Sequence, residues 1–167
     1  LYVAPRTGNT TFMGAEQKMM GNSSTKFYQL NLGGVGTKTA LIDEYNEDNL
    51  NLNNNELAMG NHTFYVQKDD PNAITGSPMS AVNTGSGFVS TDGTGALSRN
   101  TGTVGVEYLY PMGSADNVLR IRPIVITNNE EADVVSVGFN NEPPSSDNDL
   151  SKKAPNVKSL NALYYHQ

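Results

Sequence analysis

The chain has 167 residues and a formal net charge of −6, from 11 Lys+Arg against 17 Asp+Glu. Asn (21), Gly (16), Thr (14) and Ser (13) dominate it, while charged residues make up only 17%, below the usual quarter. That excess of turn formers and shortage of Glu, Lys and Ala excludes a helical bundle or a coiled coil.

The apolar residues come in short runs of period two, separated by Gly, Asn, Asp and Pro. Residues 15–20 are long enough for a turn and a half of helix. Run 25–32 (TKFYQLNL) puts Tyr28, Leu30 and Leu32 on one face. Gly33-Gly34-Val35-Gly36 turns the chain, and run 37–43 (TKTALID) returns as the second strand of a hairpin. Residues 43–56 (DEYNEDNLNLNNNE) read as an irregular, Asn-rich segment. Run 62–68 (HTFYVQK) aligns Phe64 with Val66 and turns Tyr65 outward. Asp92-Gly93 marks a tight hairpin between 88–91 and 95–98. Run 103–110 (TVGVEYLY) alternates cleanly, 117–128 (NVLRIRPIVITN) reads as one long strand, and 132–139 (ADVVSVGF) as its antiparallel neighbour. Residues 142–154, with Pro143-Pro144, form a linker. The tail 155–167 is a short helix or a terminal strand.

No internal repeat of fixed period stands out, and no helix separates the strands to carry a parallel crossover. The expectation is therefore an all-β fold: an antiparallel β-sandwich or jelly roll. Its body with an N-terminal arm spans 1–141, followed by the linker 142–154 and a C-terminal arm 155–167. No apolar run approaches the roughly 18 residues of a transmembrane segment. The chain opens on Leu1-Tyr2-Val3-Ala4-Pro5 without Met or a signal pattern, which reads as a processed or trimmed start.

Chemistry is sparse. With no Cys, thiol catalysis, Fe–S clusters and thiolate zinc are excluded, and the chain suits a place outside the cytosol. His62 and His166 are the only histidines, too few and too scattered for a zinc site or a Ser-His-Asp triad. The glycine-rich stretch 32–39 lacks phosphate-loop spacing. The basic residues are scattered, with Lys152–Lys153 the sole adjacent pair, so no direct nucleic-acid binding is expected. Carboxylates cluster as Asp43, Glu44, Glu47 and Asp48, and as Asp147 and Asp149. Oxygen donors of this kind suit Ca²⁺, the one metal to consider, although neither cluster fits an EF-hand. Trp, the usual sugar platform, is absent.

The run around Pro123 carries apolar residues on both faces. Arg120, Arg122, Ile124 and Ile126 share one face, and a Pro-containing edge strand apolar on two sides calls for a partner. Leu160, Leu163, Tyr164 and Tyr165 make the tail a second candidate subunit contact. Together these features point to a non-enzymatic structural subunit of a large assembly. A virion coat or decoration protein leads, and a subunit of an extracellular filament is close behind. The implied partners are copies of itself and other assembly proteins, on a virion or an extracellular surface. A carbohydrate or host-surface binding module and a carboxylate hydrolase are the other readings.

Overall fold

Residues 7–80, 85–116, 118–129, 133–141 and 165–166 are described by the computed structural model. Strands β1 (Asn9–Phe12), β2 (Gln17–Met19) and β3 (Lys26–Phe27) make one circuit. β4 (Gln29–Leu32), β5 (Lys38–Ala40) and β6 (Glu44–Asn46) make the next. β7 (Leu50–Asn51), β8 (Glu56–Ala58) and β9 (Thr63–Val66) make the third. β10 (Ile74–Thr75), β11 (Phe88–Ser90) and β12 (Ala96–Asn100) make the fourth. Each circuit lies on the one before, so β1-β4-β7-β10, β2-β5-β8-β11 and β3-β6-β9-β12 form three parallel sheets. The result is a parallel β-solenoid of about three turns from first rung to last.

This overturns the antiparallel β-sandwich or jelly roll expected from the sequence. All-β is right; the pairing is wrong. A parallel sheet needs a long crossover, but that crossover can be two more strands rather than a helix. Leu30 sits beside Leu50, 20 residues on, and Tyr45 beside Tyr65. The fixed period that was not evident in the sequence is therefore present. The two expected hairpins are corners: β4 and β5 lie in different sheets, as do β11 and β12. Residues 15–20 hold β2 instead of a helix turn, and the Asn-rich 43–56 holds β6 and β7. Pro123 breaks the long strand read over 117–128 into β15 and β16, given below.

The core is a set of stacked side chains. Leu30, Leu50 and Ile74 form one column, and Leu57 and Val89 are neighbours in another, all at most 2% exposed. Fully burying one such side chain contributes about 2 kcal/mol. Polar residues build the corners. The Asn53 and Asn55 amides both donate to the Leu32 carbonyl of the coil before, at 2.7 and 2.8 Å. Asn53 takes φ 50°, a left-handed conformation that Asn tolerates. At the Asp92-Gly93 corner the next coil passes so close that a Cβ on Gly95 would lie 1.9 Å from the Gly60 carbonyl oxygen.

The C-terminal segment closes one end. β13 (Glu107–Tyr110) pairs antiparallel with β16 (Ile124–Thr127), and β14 (Gly113–Ser114) with β15 (Arg120–Ile121). β17 (Val134–Val137) lies antiparallel on β12, and β18 (Phe139–Asn140) pairs with β19 (Tyr165–His166). Thus 117–128 and 132–139 are not neighbours; each pairs elsewhere.

Candidate functional site

The two ends of the solenoid are unlike. At the far end β17 covers the edge of β12. The edge of β11 is met by the segment after β13, where the Val89 N–H donates to the Pro111 carbonyl at 2.8 Å. At the near end β1, β2 and β3 are each the outermost strand of their sheet.

Backbone alternation fixes which groups are left over there. The carbonyls of Gly8 and Phe12 accept from Gln29 and Gly33, so the backbone of Asn9 and Thr11 turns away from β4. In β2 the Gln17 N–H donates to Thr37 and the Met19 carbonyl accepts from Leu41, which turns the Lys18 backbone outward. In β3 the carbonyls of Thr25 and Phe27 accept from Tyr45 and Glu47, which turns Lys26 outward. Three strand edges thus present donors and acceptors in the same direction. A notch of about 360 Å³ lies between two of them, lined by residues that include Thr7, Asn9, Thr25, Lys26 and Tyr28. Met13 and Met20, both more than 60% exposed, border this end.

The buried ionisable groups are consumed by the fold. Lys38 is fully buried and its Nζ donates to the carbonyls of Gly14, Ala15 and Val35 at 2.6, 3.0 and 2.9 Å. Burial pulls its pKa below the ordinary lysine value, against the pull of Glu16. Arg99 is 1% exposed; Nη1 donates to the Leu109 carbonyl at 2.6 Å and Nη2 to the Asp70 carbonyl at 2.8 Å. Its guanidinium lies 5.2 and 5.8 Å from the ring centroids of Tyr108 and Tyr110. Burial raises the Tyr110 pKa, and its hydroxyl donates to the Val135 carbonyl at 3.1 Å. Arg99 therefore ties the last coil to the closing segment.

The first carboxylate cluster does not converge. Asp43 accepts from the Thr63 N–H at 2.8 Å. Glu44, 1% exposed, points inward and accepts from the Thr25 N–H at 2.7 Å; burial raises its pKa. The backbone N–H of Glu47 donates to Phe27. Asp48 pairs with Lys68 at 2.5 Å, which lowers its pKa, and accepts from Gln29 at 2.6 Å. Among the described residues no three His, Cys, Asp or Glu side chains gather around one point. Asp147 and Asp149 lie outside the described residues, as do Leu160, Leu163 and Tyr164.

The face around Pro123 divides. Ile124 and Ile126 sit opposite Tyr110 and Tyr108 and pack on the core, leaving Val125 exposed. Arg120 donates to the Asn141 side chain, and Arg122 is exposed, its Nη1 on the Ile121 carbonyl at 2.9 Å. The backbone of Tyr165 pairs with Asn140 of its own chain. On the outer wall Tyr45 and Tyr65 stack at 4.6 Å, and the Lys26 amine lies 5.6 Å from the Tyr45 ring centroid. The facing sides of the two rings cover each other, which leaves little open aromatic surface for a sugar.

The sequence reading missed the open edges at Asn9, Thr11, Lys18 and Lys26. The signal that finds them is self-comparison at an offset of 20, which matches Leu30 with Leu50, Asn31 with Asn51, Leu32 with Leu52 and Tyr45 with Tyr65. Comparison of the chain with protein-family models, with curated proteins and with solved structures finds no match. Among the described residues no helix is long and apolar enough to cross a membrane.

Proposed function

We propose that this chain is a non-enzymatic structural unit, joined to the rest of its assembly through its open coil and closed at the other end. The observation that carries this is the contrast between the ends: one covered by β17, the other with unpaired backbone in all three sheets. Natural sheet proteins blunt or cover such edges, because they add strands readily. The consumption of Lys38, Glu44 and Arg99 in internal hydrogen bonds favours a scaffold over a catalyst. The expected coat rested on a jelly roll, and that support is gone. What survives is assembly itself, in an extracellular setting that suits a chain without cysteine.

The test is sedimentation velocity on the whole chain and on Thr11→Pro. Proline there removes an outward donor while leaving the β1–β4 ladder intact. The wild type should sediment above the monomer mass and the variant as a folded monomer with a near-unchanged melting curve. A monomeric wild type, or assembly that ignores Thr11→Pro, would overturn the reading.

A further inference from the structure

We infer that the open end takes a second copy of this chain, head to head across a twofold axis, with the axis passing through β2. The inference rests on the proposed function and names its partner.

Three observations select this occupant. First, the partner must present unpaired strands in three sheets at once, in the same triangular arrangement. The first coil of another copy does so. Second, the far end of the chain cannot serve, because β17 lies along β12 and the Pro111–Met112 segment along β11. Head-to-tail stacking, which would run on without limit, is therefore blocked, and only the closed head-to-head arrangement remains. Third, the charges of the first coil permit it. The chain as a whole carries −6, yet this coil holds only Glu16, Lys18 and Lys26. All three are exposed.

Register follows from those charges. A twofold axis perpendicular to the solenoid passes through one sheet and exchanges the other two. Through β2 it lays that strand antiparallel on its own copy. Lys18 is the residue of β2 whose backbone faces the opening, and Glu16 is the next residue before it in the same phase. Centring the pair on Gln17 sets Glu16 of each copy opposite Lys18 of the other, twice. Centring on Lys18 would oppose like charges, which is unfavourable directly across a strand pair. β1 of each copy then meets β3 of the other, and the notch beside Lys26 faces the Asn9–Phe12 edge.

The experiment uses two single variants of the whole chain, Lys18→Glu and Glu16→Lys, with their melting temperatures measured as folding controls. Each alone opposes like charges and should be monomeric at concentrations where the wild type is dimeric. Mixed in equal amounts they restore both unlike pairs, so the mixture should regain the dimer mass. A variant that had merely lost its fold would not be rescued by the other. Edge-dependent assembly larger than a dimer, or charge variants that dimerise like the wild type, overturns the twofold while leaving the proposed function standing. A monomeric wild type overturns both.

Discussion

Replacing Arg99 with methionine removes the charged fork and keeps most of the aliphatic stem. Two short bonds disappear, Nη1 to Leu109 at 2.6 Å and Nη2 to Asp70 at 2.8 Å. Hydrogen bonds from a charged donor contribute about 1.5–3 kcal/mol each, and the abandoned carbonyls keep their desolvation cost. The stacking on Tyr108 and Tyr110 adds about 1 kcal/mol more. Against this, methionine is relieved of the cost of burying a guanidinium with no carboxylate bonded to it. The net loss is about 3–5 kcal/mol. For a chain of this size that lowers the melting temperature by roughly 10 °C. Thermal unfolding followed by circular dichroism measures it. Arg99→Lys should lose most of the same stability, since one ammonium cannot reproduce the planar fork that reaches both carbonyls. Hydrogen exchange should rise first in β13 and β16, the strands that Arg99 anchors, and least in β1 to β3, because coils couple mainly to their neighbours. A shift of less than about 2 °C for Arg99→Met would refute the reasoning, because the fork would then hold nothing that water or repacking could not replace.

Two further substitutions probe the polar interior. Glu44 has its folded-state pKa raised, chiefly by burial. Its contribution is therefore fully present below the unfolded value and lost as pH rises through the folded one. Glu44→Gln lacks that loss, so its denaturation midpoint should exceed the wild type's at pH 7 and converge with it near pH 4. A constant difference across that range would contradict the assignment. Asn46 is fully buried and neither side-chain polar atom has a partner, with Phe27 and Val66 beside it in the ladder. Asn46→Leu should stabilise by about 1–3 kcal/mol in urea denaturation, the penalty of unsatisfied buried polar atoms; a lower midpoint would show that the side chain is satisfied after all.

How much of this was legible in the sequence depends on what period two encodes. Alternation correctly placed Leu30 and Leu32 inward and Tyr65 outward, because it reports which face of a strand is buried. It does not report which strand lies alongside, so the same runs served equally for a sandwich. Position 20 residues on was the missing information. It was obscured because the ladders mix chemistries: Lys38 stacks on Leu57, and Glu44 on Phe64. A buried lysine or glutamate reads as surface in a single sequence, since only the surrounding carbonyls and N–H groups make it tolerable. The Asn-rich stretch misled for a related reason. Asn53 and Asn55 look like disorder until the Leu32 carbonyl of the previous coil is brought against them. The open edges left no signal of residue type at all, because an unpaired edge is a property of backbone position.

The coil also governs which insertions and deletions the chain can survive. Losing one residue inside a strand would turn every following side chain of that strand to the opposite face. Losing a whole circuit would return each ladder to its own register. The fourth circuit illustrates the alternative. Thr63 to Ala96 takes 33 residues where Tyr45 to Tyr65 takes 20, yet the strands still pair in register. The surplus leaves the stack between β10 and β11 and rejoins it afterwards. Evolution can therefore lengthen this protein in two independent currencies: by duplicating whole coils of about 4.8 Å each along the axis, or by paying out loop at a corner without disturbing the stack.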